Sequence, residues 1–217
     1  MDLSRRRLAS RPRRRLHDGR NPSKAVVDLV EFEGGPIVLK DLSSRAWPVR
    51  ELLGPWQLDR EARAYRRLEG LEGVPRFLGR VDRQAIAIEY VAGRDLSHLR
   101  PGDLPALFFD RLEGIVEAVH ARGVAHGDLH GQDVLVGPGG EPYVIDFSTA
   151  ILAAARPGRV RARLFDQARR ADRRSVAKLR RRFLGGGAAV PERPPLYRIG
   201  RALRRIVDLL RRSRGGR

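Results

Sequence analysis

This 217-residue sequence predicts an α+β chain of two lobes. Three observations carry that expectation. Short β-branched and apolar runs crowd the first third, helical periodicity takes over after Leu104, and one extended segment at 89–95 joins the two. With 41% apolar residues, a chain of this length can bury a core.

The elements follow in order. Residues 1–22 hold many arginines and no apolar period, which predicts a flexible basic arm. "KAVVDLVEF" reads as a strand, "EGGP" as a turn and "PIVLKDL" as a second strand, together a hairpin. "GPWQLDREARAYRRLEG" reads as a helix, with Pro55 suited to its first turn and Gly70 past its end. "GVPRFLGRVD" and "QAIAIEYVAG" add two strands. Phe108, Leu112, Ile115, Val116 and Val119 recur at helical spacing, and Gly123 stops that helix. "DVLVG" and "PYVIDF" form a small hairpin around "PGGE". Beyond 150 the chain reads as helical and arginine-rich, interrupted by glycine and proline at 185–195. The expected division is an arm over 1–22, an N-lobe over 23–91, a C-lobe over 92–185, and a break with a basic amphipathic helix over 186–217.

Composition narrows the class. There is no cysteine, so disulfides and thiolate chemistry are excluded, in keeping with a cytoplasmic setting. No apolar run approaches the roughly 18–20 residues that cross a bilayer, and no apolar segment follows the basic N-terminus as a secretory signal requires. The net charge of +18 is uneven. Residues 1–20 hold eight basic against two acidic side chains, 21–150 fifteen against twenty, and 151–217 twenty-one against four. Basic flanks suit a polyanion or an anionic membrane surface, peripheral at its inner face. An arginine-favouring codon bias gives the same pattern, since 41 of the 44 basic residues are arginine.

Four pieces carry chemistry. Lys40 ends the apolar run "PIVLK", where a compact ammonium can hold phosphate oxygens. Glu61 shares a helix face with Leu58, Tyr65 and Leu68, and a carboxylate on such a stripe calls for a cation; Lys40 is the obvious one. "HGDLHGQD" at 126–133 packs two histidines and two aspartates into a loop. Asp146 closes the apolar run "YVID", a position suited to a hard oxygen ligand for magnesium.

Taken in order, "PIVLK", "REAR", "HGDLHGQD" and "IDFS" resemble the motifs of the protein-kinase-like superfamily over about residues 25–150. The resemblance implies a two-lobed fold with a small antiparallel N-lobe sheet and a reduced helical C-lobe. It further implies an ATP- and Mg2+-dependent transfer of the γ-phosphate to a hydroxyl. Lys40 would grip the phosphates and Glu61 would orient it. Asp128 would accept the acceptor's proton, and Asp133 and Asp146 would bind magnesium. Glu89, Tyr90 and Val91 would form the hinge that reads adenine, with Leu135 beneath the ring. Gly34 and Gly35 would stand in for the phosphate loop, His126 would support the catalytic loop, and His130 would lie on the acceptor side.

The sequence also departs from the family. No G-x-G-x-x-G is present, Asp133 replaces an asparagine, Gly127 an arginine and Ser148 the glycine after Asp-Phe. These departures also suit an inactive relative serving as a binding module, or a kinase scaffold adapted to nucleic acid or membrane. Small size and the "HGDLH" text are similar to RIO-type kinases and to bacterial lipopolysaccharide-core sugar kinases. His126 and His130 stand four apart, but Gly127 and Gly131 make a zinc-binding helix a poor fit. Aromatic residues do not interleave the basic runs, so stacking on single-stranded nucleic acid and sequence-specific binding lack support. Ile199, Leu203, Ile206 and Leu210 give 195–212 an amphipathic stripe that suits an anionic lipid surface.

Overall fold

The computed structural model describes residues 3–19, 24–156 and 158–185. Alternation of side chains organises its first half. Strands β1 (Arg13–His17), β2 (Val26–Phe32), β3 (Gly35–Asp41), β4 (Phe77–Asp82) and β5 (Ala85–Glu89) form one antiparallel sheet in the order β1-β2-β3-β5-β4. In β5, Ile86 and Ile88 belong to the large central core, while Ala85 and Ala87 belong to a smaller cluster on the other face. Lys40 lies directly opposite Ile86, and Val38 opposite Ile88, so Lys40 faces the central core side.

Helix α2 (Gly54–Arg67) covers that inner face with Leu58, Ala62 and Tyr65, and Glu61 lies among them. Pro55 occupies its first turn as expected. A π-helical turn, Val49–Leu53, leads into it, with the Gly54 N–H bonded to the Val49 carbonyl.

The basic arm is the first correction. Over its described residues it is not a loose segment but helix α1 (Arg5–Ala9) and edge strand β1. Leu3 and Leu8 bury against Val30, Phe32, Ile37 and Leu39 on the outer face of the sheet. Arg5 bridges two carboxylates, donating to Asp41 at 2.7 Å and to both oxygens of Asp82. Arginine density concealed this: two leucines and one arginine paired with two carboxylates anchor the segment.

The second half is mostly helical. The extended segment after β5 leads to β6 (Arg94–Asp95) and then to α3 (Ala106–Ala121), followed by β7 (Val124–Ala125). Next come β8 (Val134–Val136), β9 (Pro142–Val144), β10 (Ile151–Leu152) and α4 (Arg159–Leu184). Strands β6, β8 and β9 form one small sheet, and β7 pairs with β10. In the link between the lobes, Gly93 lies so close to β8 that a Cβ there would come within 2.5 Å of the Val136 carbonyl oxygen. Helix α4 packs on α3 through Val176, Leu179 and Phe183. Its arginines are partly neutralised: Arg173 pairs with Glu117 and Arg180 with Asp110 of α3. Leu164 lies outside this core at 43% exposed, in the first turns of α4, where the residues from Arg159 to Leu164 are all exposed. The amphipathic stripe expected over 195–212 lies outside the described residues.

Candidate active site

One buried lysine joins three elements. Lys40 of β3, 8% exposed, ion-pairs with Glu61 of α2 and donates to Asp146 Oδ1 at 2.7 Å. Burial works against its proton, but Asp146 and then Glu61 hold it, so the lysine titrates well above its ordinary value. Burial also opposes ionisation of Asp146, yet Lys40 and then Lys24 outweigh it and keep the carboxyl well below the usual carboxylate range. Burial lifts Glu61 above its ordinary value, with Lys40 opposing.

Asp146 has left-handed backbone, φ 63° and ψ 68°, the one non-glycine residue with positive φ among the described residues. Such strain persists only where neighbours over-determine it. Phe147 supplies that constraint. It is fully buried, its ring edge-on to Tyr65 at 5.2 Å and 5.3 Å from the His126 ring.

The 126–133 loop is fastened from behind. His126 is buried and its Nε2–H donates to the Ile145 carbonyl at 2.9 Å, one residue before Asp146. The amides of His126 and Gly127 donate to Asp172 of α4 at 2.8 and 2.9 Å, and His120 Nε2 contacts the same carboxylate at 3.0 Å. Gly127 has φ 82°, and a Cβ there would stand 2.9 Å from the Thr149 carbonyl oxygen. An arginine at this position, the family pattern, would not fit. Asp128, half-buried, follows directly. Asp133 is buried, accepts the His130 amide at 3.1 Å and lies against His130 Nδ1. Its carbonyl accepts the Ile145 amide at 2.9 Å, which brings the two aspartates onto neighbouring segments. The two loop histidines thus face different partners.

Gly34 and Gly35 are not brought to this site. The register runs from Phe32↔Gly35 to Val27↔Lys40, so the turn lies about 17 Å along the hairpin from Lys40. The connection adjoining Lys40 is instead the one between β1 and β2, which begins at Asp18 and ends at Ala25. Strand pairing decides which end of the hairpin adjoins the lysine: His17 and Lys40 both lie opposite Val27. Of the expected hinge, Glu89 ends β5 and turns its carboxylate to Arg76, while Tyr90 and Val91 lie between strands β5 and β6. Leu135 lies half-buried on β8, opposite Asp95 and Tyr143.

Two residues at the site escaped sequence reasoning. Asp172 occupies the apolar stripe Ala168, Asp172, Val176, Leu179, Phe183, and a lone carboxylate on such a face was a readable signal. Lys24 donates to Ser148 Oγ at 2.8 Å, so two of the chain's three lysines meet here.

The RIO domain family model matches residues 45–158, just over half of the chain. The chain belongs to the RIO family. The matched RIO segment runs from before α2 to after β10 and includes Glu61, Asp128, Asp133 and Asp146, while Lys40 and strands β1–β3 precede it. Among solved structures, the Rio2 kinase from Chaetomium thermophilum aligns with a TM-score of 0.59 over 78% of this chain at 17% identity. The Rio2 kinase–ADP/Mg2+–phosphoaspartate complex of the same organism gives 0.62 over 87% at 19% identity. At that identity the likeness is one of fold: a two-lobed kinase-like architecture with an antiparallel N-lobe sheet. The chain spans 57% and 60% of the lengths of those two proteins. No curated protein matches it.

Proposed function

We propose that this RIO-family chain is an ATP- and Mg2+-dependent phosphotransferase whose acceptor is a hydroxyl group, on a protein or on a lipopolysaccharide or small molecule. The observation that carries the reading is the bridge from Lys40 to Glu61 and Asp146, with Asp133 on the adjoining segment. Magnesium is held by one or two carboxylates together with phosphate oxygens rather than by an all-protein cage. The donor set fits: among the described residues no three acidic or histidine side chains converge as a closed metal site, but two aspartates sit on adjoining segments.

In this reading Lys40 exchanges Asp146 for phosphate oxygens, and Glu61 keeps the ammonium in place. Asp146, released and already ionised, is ready as a hard ligand, with Asp133 beside it. Bound ATP would supply the transferable phosphoryl group, and magnesium held by Asp133 and Asp146 would neutralise its charge. Asp128 orients the acceptor hydroxyl and takes its proton. The Glu89–Val91 backbone and Leu135 would hold the adenine. Positioning and neutralisation of oxygens are what phosphoryl transfer chiefly requires.

The test is the thermal shift of the purified chain with an ATP analogue, with and without magnesium, beside ATP turnover. Wild type is expected to gain stability only with both ligands, and Lys40→Ala and Asp146→Ala to lose the gain. A wild type with neither shift nor turnover would sink the proposal.

A further inference from the structure

Helix α2 buries one face on the sheet, but the chain that leads into it turns apolar side chains outward. Trp47, Leu52, Leu53 and Trp56 are 60%, 61%, 54% and 58% exposed. They lie on the approach to α2, in the π-helical turn Val49–Leu53 and in the first turn of the helix. A π turn brings positions five apart into line, so Trp47 falls in line with Leu52. Leu52 and Leu53 are four and three residues before Trp56 and share its helical face. Single apolar side chains on a surface need no explanation, whereas a contiguous set marks a contact face. A groove would cover the side chains that line it. These four are each more than half exposed, so they form a raised face.

Charge accompanies them. Residues 21–150 carry fifteen basic and twenty acidic side chains, yet 45–67 carries six arginines and three acids. Of those acids, Glu61 is buried on Lys40, Glu51 accepts from Arg50 at 2.9 Å, and Asp59 accepts from Arg80 at 2.7 Å. Arg60 lies 4.6 Å over the Trp56 ring and donates to the Ser148 carbonyl, and neither partner cancels its charge. Arg63, Arg66 and Arg67 are exposed further along the helix. An acidic body thus carries a basic and apolar face at this place, complementary to an anionic partner.

The side chains indicate which partner. Tryptophan rings settle at a lipid–water boundary, leucines enter below them, and arginines keep their heads among the phosphates. A helical peptide would instead require a groove. We propose that the face formed by Trp47, Leu52, Leu53 and Trp56, with Arg60 and Arg63 one and two turns further along α2, docks on an anionic lipid bilayer. Because Arg60 also touches the Ser148 carbonyl, the docked face adjoins the segment that carries Asp146. The inference does not depend on the phosphotransferase reading.

The chain has two tryptophans and both lie on this face, so their emission distinguishes it from the basic flanks. The full chain is titrated with vesicles of mixed phosphatidylglycerol and phosphatidylcholine, and with vesicles of phosphatidylcholine alone. The mixed vesicles are expected to shift the emission to the blue and, with brominated acyl chains, to quench it. Phosphatidylcholine alone is expected to do neither. The double variant Leu52→Ser, Leu53→Ser keeps both reporters and is expected to bind the mixed vesicles about tenfold or more weakly, at an unchanged melting temperature. Wild type that sediments with mixed vesicles at unchanged emission overturns the proposal, since the basic flanks would then carry the binding. No binding, or an equal shift on phosphatidylcholine alone, overturns it too. So does a wild-type dimer in sedimentation velocity that the double variant converts to monomer, because a second copy would then cover the face.

Discussion

Asp172 accepts the amide proton of Gly127 at 2.9 Å, fixing a loop to a helix forty-five residues downstream. The same carboxylate holds the His126 amide and His120 Nε2, so one buried acceptor serves three donors. Asp172→Ala leaves all three unmet and is expected to cost about 3–5 kcal/mol of folding stability. Urea denaturation would read this as a lower midpoint. A midpoint within experimental error of wild type would show that the loop holds itself.

Removal of Lys40 should change how stability depends on pH. In wild type Asp146 titrates below its unfolded value, so its contribution is complete above the ordinary aspartate range and is lost as pH falls through the depressed folded value. Glu61 behaves oppositely: burial raises it, so its ionisation destabilises as pH rises through its folded value. Lys40→Ala deletes the cation that opposes this. The variant is expected to melt at a higher temperature at pH 5 than at pH 7, with a smaller difference in wild type. Parallel melting curves at both pH values check the sign.

The N-terminal anchor is also measurable. Burial works against ionisation of Asp41 and Asp82, but Arg5, with Ser43 at Asp41 and the Gln84 and Ala85 amides at Asp82, holds both below the usual range. Arg5 is 40% exposed in its side chain, so Arg5→Ala is expected to cost about 1–2 kcal/mol, less than a fully buried pair. The loss should appear above the ordinary aspartate range and shrink as both carboxyls protonate. Equal loss at pH 7 and pH 3 would count against the ion pair as its source.

Glycine substitutions separate the two turns. Gly127→Ala meets both a positive φ and the Thr149 carbonyl, and should cost about 1–3 kcal/mol and impair nucleotide-dependent turnover. A Cβ at Gly34 meets nothing within 4 Å. Gly34→Ala is expected to cost a little stability through its backbone and leave ATP affinity unchanged. A clear loss of ATP affinity there would return that turn to the site.

Legibility followed the range of the interaction. The α+β order, the helix around Glu61 and the Lys40–Glu61 pair could be read because each depends on alternation, helical spacing or an apolar face that demands a cation. Asp172 carried a signal of the same kind, a carboxylate in an apolar stripe, but its donors lie 45, 46 and 52 positions upstream. Arg5, one arginine among eight in the first twenty residues, carried none, because only the pairing of β5 with both β3 and β4 sets Asp41 close to Asp82.

By itself, the sequence determined which residues carry charge, which faces are apolar, and which short motifs stand in what order. Tertiary structure alone decided that the β1–β2 connection, not the Gly34–Gly35 turn, adjoins Lys40, and that Lys24 reaches Ser148. The physical reason is register. A hairpin's pattern specifies which face a side chain takes, but which end of the hairpin meets the Asp146–Ser148 segment depends on strand order across the sheet.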